Sequence, residues 1–159
     1  MKKLYIKRGI LILLILINCL VIFGFSSQKA EESSNTSSKI VDAIVDTLYR
    51  NKKIVNQEVQ MLKENITTLV RKGAHFSIYT CLGILTFLYI GTYPINLKKR
   101  FLYTILFCIA YACSDEFHQM FVEGRSGEIR DICIDTCGAL FGTVIVIAIS
   151  KFVNLIKKK

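Results

Sequence analysis

The sequence predicts an all-α protein: an integral membrane bundle of four transmembrane helices, with both termini in the cytoplasm and an amphipathic helical outer loop between the first two spans. Two observations carry that reading. Hydrophobic residues make up 52% of the 159-residue chain, the mean hydropathy is +0.44, and the apolar residues gather into long blocks that a soluble fold would leave uncovered. The second is where the net charge of +9 resides. Lys2, Lys3, Lys7 and Arg8 precede the first block; Lys98, Lys99 and Arg100 separate the second from the third; Lys151, Lys157, Lys158 and Lys159 follow the last. If the blocks alternate in direction, all three patches fall on one side of the membrane, which is the positive-inside pattern. They account for the whole positive excess, so the basic balance names the lipid bilayer as partner and excludes nucleic acid.

The elements follow in order along a single membrane domain covering residues 1–159, with spans at about 9–26, 73–93, 101–120 and 131–153. The first block, residues 10–25, is broken only by Asn18 and Gly24. At 1.5 Å per residue it just crosses a hydrocarbon core of about 30 Å. Its rival reading is a cleaved signal peptide, since Gly24 and Ser26 are small residues suitably placed before a cut. The outer loop, 27–70, begins with a serine-rich linker at 33–38. Beyond it Ile40, Ile44 and Leu48, then Val55, Val59, Leu62, Ile66 and Leu69, recur with helical spacing. They predict one or two amphipathic helices on the membrane surface or against the bundle.

The second block covers 74–90. The third is purely apolar only over 101–113, too short to cross, so its helix must continue into the polar run 114–119. The fourth, 132–153, carries Asp135 near its start. All six cysteines lie in or at the edge of an apolar block and read as small apolar fillers, not as a disulfide framework.

Alternation of the spans gathers the ionisable residues at the outer end. Arg71, Lys72 and His75 open the second span, Asp115, Glu116, His118 and Gln119 close the third, Arg125 and Ser126 sit in the turn, and Asp131 and Asp135 open the fourth. At about 100° per residue, His75 and Tyr79 are about 40° apart, and Tyr111, Asp115 and Gln119 form an i, i+4 ladder. Glu116 points about 100° away from Asp115, toward a different partner. Asp135 shares a face with Gly138 and Gly142, a small-xxx-small seam that turns it toward the bundle. Carboxylates at that depth are costly and either pair or mark a working site. A structural staple, in which Arg71, Lys72, Arg125 and Arg130 neutralise the four acids, is the alternative.

These residues resemble the VanZ-like family. The resemblance rests on Arg71-Lys72-Gly73-Ala74-His75-Phe76-Ser77-Ile78-Tyr79, Ser114-Asp115-Glu116-Phe117-His118-Gln119, Gly124-Arg125-Ser126-Gly127, and Asp131 with Asp135-Thr136-Cys137-Gly138-Ala139, and Phe25-Ser26-Ser27-Gln28 fits as well. Ile78 stands where many members carry Glu, and Glu123 where Pro often precedes Gly-Arg. The resemblance implies a bacterial cell-envelope protein associated with lowered susceptibility to the glycopeptide teicoplanin; it supplies no reaction.

Catalysis, plain binding and a scaffold role, in which the loop at 26–70 would hold envelope enzymes, all stay open. As an enzyme, the chain would act on a lipid-linked or wall-linked component. His75 or His118 would be the general base, oriented by Asp115, with Arg71, Lys72, Tyr79, Glu116, Gln119, Arg125, Ser126, Asp131 and Asp135 around the substrate. A metal version would use His75, His118, Asp115 and Glu116, types that suit zinc, but two histidines on different helices fix no geometry. The sequence therefore assigns no metal and leaves the cofactor unknown.

Overall fold

The computed structural model describes residues 1–29, 41 and 56–157. The described residues form four long helices and contain no strand: α1 (Lys2–Ser26), α2 (Asn56–Ile90), α3 (Leu97–Gln119) and α4 (Ile129–Ile156). The fold class is therefore all-α. Three of these helices, α1, α4 and α2 over Asn65–Ile90, are long and apolar enough to cross a membrane. In α3, Lys98, Lys99 and Arg100 at one end and Asp115 and Glu116 at the other leave a shorter apolar stretch between them. A belt of exposed Leu, Ile, Val and Phe covers the outside, densest on α1, where most large side chains are exposed. That is the surface expected where lipid takes the place of water.

The expected boundary between outer loop and second span does not appear. α2 is one continuous helix of 35 residues, about 52 Å at 1.5 Å per residue, so its first turns extend well beyond a core of about 30 Å. Residues 56–70 are therefore the upstream part of the second long helix, not a separate surface helix. The physical reason lies in the sequence: no Pro interrupts the stretch, and the lone Gly73 costs a helix only about 1 kcal/mol. The predicted serine linker at 33–38, the Ile40, Ile44 and Leu48 face and Val55 lie outside the described residues.

α2 packs against each of the other three helices, most extensively against α4, while α3 closes against α1, α2 and α4. The α2–α4 contact depends on glycine. A Cβ placed on Gly138 would overlap the Phe76 carbonyl, one on Gly142 would overlap the Thr80 carbonyl, and one on Gly83 would overlap the Ala139 backbone. Backbones this close gain dispersion contacts that any side chain would forbid. The core beside the seam is Ile22, Tyr79, Leu82, Cys108, Ala112 and Ala139.

Arginines tie the basic end together. Arg8 of α1 donates to the Thr92 hydroxyl at 3.0 Å and to its carbonyl at 2.8 Å, with its guanidinium 4.0 Å over the Tyr93 ring. Arg100 donates to the Phe87 carbonyl at 2.7 Å, which also accepts from the Gly91 amide at 3.1 Å, and lies 3.7 Å over the Phe87 ring. Asn96 caps α3 by accepting from the Lys99 amide at 2.9 Å. The polar cluster lies at the opposite end of the bundle, where α1 and α3 finish, α4 begins, and α2 passes through.

Candidate functional site

Three helices each deliver one group to a common point. His75 comes from α2, Asp115 from α3 and Asp135 from α4, and one ligand-type atom of each lies within 4.8 Å of the other two. Helical spacing sets the approach. His75 sits one turn before buried Tyr79, Asp115 one turn before buried Gln119, and Asp135 one turn before buried Gly138. The glycine seam draws α4 onto α2 and so carries Asp135 to His75: His75 Nδ1 lies 3.7 Å from Asp135 Oδ1.

The centre is buried and under-satisfied. Asp115 is 5% exposed and Asp135 1%. Neither oxygen of Asp135 has a hydrogen-bond partner, nor do His75 Nδ1, the Tyr79 hydroxyl or the Ser26 hydroxyl, all of them buried. Ser26 adjoins Asp115, and the charges of Asp115 and Asp135 both reach Tyr79. Buried polar atoms are almost always paired, so so many orphans around one point require an explanation. A crevice of about 10 Å³ lined by Arg71, Lys72, His75, Asp131, Ile134 and Asp135 adjoins them, close to the least volume that holds one water.

A polar collar surrounds this centre. Gln119 Nε2 donates to Asp115 Oδ2 at 3.2 Å, and Arg125 donates to Gln119 Oε1 at 2.8 Å and to the Phe25 carbonyl at 3.3 Å. Burial, followed by the nearby Arg71, pulls the Arg125 guanidinium below its ordinary value. Arg71 and Arg125 thus bring two guanidiniums to this end of the bundle, the group best suited to hold an anion in a bidentate contact. Arg71 makes no hydrogen bond or ion pair among the described residues. The turn before α4 uses Gly124 at φ 77°, a conformation L side chains rarely adopt, and this brings Arg125 back over α3.

On the α1 side a cleft of about 330 Å³ opens beside Asp115, lined by Phe23, Tyr111, Ser114, Phe117, His118 and Phe121. That volume is within the range of ligand pockets. Its walls are mostly aromatic, with the His118 ring 4.5 Å from the Phe23 ring.

The residues singled out in the sequence thus divide. His75, Asp115, Asp135 and Tyr79 meet at the centre; Gln119, Arg125 and Arg71 surround it. Glu116 serves another partner, accepting from the Glu128 amide at 2.7 Å and so fastening the turn before α4. His118 lies against Phe23 in the cleft, so the four-ligand set of His75, His118, Asp115 and Glu116 does not assemble. Asp135, placed among substrate contacts in the sequence, is the residue paired with His75. Lys72 pairs with Asp131 at 2.9 Å and approaches Glu128 at 3.9 Å, a half-exposed rim bridge. Ser126 is exposed. Ser26, which the sequence offers only within the Phe25-Ser26-Ser27-Gln28 motif and not as a site residue, is fully buried and lies against Asp115.

Ionisable groups buried between helices, in a bundle with three helices of membrane length, define a helical protein of membrane type with a polar interior site. The chain belongs to the VanZ/LLP1 family, whose match runs over residues 10–151 and includes every residue of the cluster. No curated protein and no solved structure matches it.

Proposed function

We propose that the chain is a four-span cell-envelope membrane protein, both ends cytoplasmic, that acts on or binds a lipid-linked anionic component at the outer leaflet and thereby lowers teicoplanin susceptibility. The observation that carries this reading is the buried group of His75, Asp115, Asp135 and Tyr79 beside an aromatic cleft, in which His75 Nδ1, the Tyr79 hydroxyl and both Asp135 oxygens have no hydrogen-bond partner. A lipid-linked molecule has both parts to match: an apolar chain for the cleft, and an anionic head for Arg71 and Arg125. The three basic patches set the orientation, and α3, with its charges at the two ends, serves as the remaining span.

In catalysis, His75 takes a proton from water or from a hydroxyl of the bound component. Asp135 at 3.7 Å stabilises the imidazolium that forms, and the guanidiniums hold the head group. A structural staple accounts for the Lys72–Asp131 bridge but not for the orphaned atoms, because a staple consists of satisfied pairs.

The test is teicoplanin susceptibility of a sensitive bacterial host expressing the native chain, His75→Ala, Asp115→Asn, Asp135→Asn or Arg125→Lys, with membrane levels matched. Protection by the native chain, lost in the variants, is the expected result. Full protection by the variants at normal levels would reduce the cluster to a structural element.

A further inference from the structure

We infer that His75, Asp115 and Asp135 bind a divalent transition-metal cation of the zinc type. The inference deepens the functional reading above and rests on the same cluster being a working site; with the ion bound, His75 and Asp135 serve as ligands in place of the general-base pair described there. One imidazole nitrogen and two carboxylate oxygens, from three different helices, lie within 4.8 Å of one another. A tetrahedral ion with bonds of about 2.0–2.2 Å separates neighbouring donors by about 3.4 Å. The His75–Asp135 separation of 3.7 Å is already close to that, and small side-chain rotations close the remainder.

The unpartnered atoms point the same way. Asp135 is 1% exposed and both its oxygens lack any hydrogen bond. Two buried carboxylates repel each other, and His75, the cation paired with Asp135 at 3.7 Å, supplies at most a single positive charge between them. A divalent cation neutralises both carboxylates, and a metal bond occupies His75 Nδ1. A nitrogen among the donors favours zinc and its neighbours over calcium or magnesium, which take oxygen ligands.

The surroundings fit a metal site as well. Gln119 holds Asp115 Oδ2 at 3.2 Å and is itself held by Arg125, the kind of outer contact that aims a ligating carboxylate. Three protein ligands leave a fourth position for water or substrate. The crevice beside His75 and Asp135 opens toward Arg71, where the anionic head is proposed to sit.

The test uses the full chain, purified in detergent with any tag removed, stripped with chelator and titrated with Zn²⁺, then with Co²⁺ as the spectroscopic probe. A single zinc ion per chain is expected to survive desalting, with a tetrahedral cobalt spectrum and a thermal midpoint that rises with zinc concentration. Asp135→Asn and His75→Ala should weaken binding by more than about 100-fold, since losing a ligand exceeds the 10–100-fold cost of losing its outer contacts. Glu123→Gln and Glu128→Gln, carboxylates of the nearby turn, should bind as the native chain does. The midpoint shift needs no variant, so a misfolded substitution leaves the inference testable.

Absence of both retained zinc and a midpoint shift in the native chain overturns it. So does binding that persists in Asp135→Asn and is lost in His118→Ala. Protection lost in the variants of a chain that binds no zinc overturns the metal alone and leaves the functional reading standing. Zinc bound by a chain whose Asp135→Asn variant still protects fully upholds the metal site and overturns the functional reading.

Discussion

Gly138→Ala should loosen the site without touching any of its polar groups. The added Cβ would overlap the Phe76 carbonyl, whereas ordinary contact begins near 3.4 Å. Neither side can yield cheaply, because the obstacle is backbone and the glycine lies within α4. The helices must therefore part by about 1 Å, a distortion of the kind that costs about 1–3 kcal/mol. Phe76 follows His75 in α2 and Gly138 lies one turn beyond Asp135 in α4, so the parting acts directly on their 3.7 Å separation. A misplacement of about 1 Å can reduce catalysis by about 100-fold. The assay pairs thermal unfolding in detergent with protection of the host against teicoplanin. Both should fall, whereas Gly73→Ala, where a Cβ meets nothing within 4 Å, should leave stability unchanged or raise it by up to about 1 kcal/mol. A Gly138→Ala chain that unfolds and protects like the native one would refute the argument that the seam sets the site.

Two further outcomes are expected. Arg100→Ala removes both the 2.7 Å bond to the Phe87 carbonyl and the contact with that ring, and should destabilise the chain by about 1–3 kcal/mol in a denaturant titration, without altering zinc binding at the far end. Reporter fusions at each terminus should be active only in the cytoplasm, while a reporter inserted at Ser126 should be active only outside; the opposite pattern would invert the orientation.

Much of this arrangement was legible in the sequence, because helical depth and helical angle are both arithmetic on residue number. That arithmetic set His75, Asp115 and Asp135 at one level and turned Gly138 and Gly142 toward a neighbouring helix. It also gave Glu116 a partner other than that of Asp115, which proves to be the Glu128 amide. Three features were not legible. The upstream extent of α2 is hidden by a change in composition at residue 71, although backbone hydrogen bonding continues through it. The pairing of His75 with Asp135 depends on which helices touch, and spacing within one helix is silent on that. The same holds for His118, whose ring could face the centre or α1 until the packing of Phe23 fixed it, and for Ser26, ordinary in sequence and distinctive only in burial.

The central claim is that this cluster is kept for work at some cost to the fold, as functional sites commonly are. The most direct test is the thermal midpoint of the metal-stripped Asp135→Asn chain against the equally stripped native chain. Asn preserves the shape and removes a buried charge whose oxygens have no hydrogen-bond partner; the one contact weakened is the 3.7 Å approach to His75. The account predicts a midpoint equal to the native value or higher, where about 1 kcal/mol corresponds to roughly 2–4 °C for a chain of this size. A midpoint well below the native one would make Asp135 part of a stabilising staple and contradict the claim.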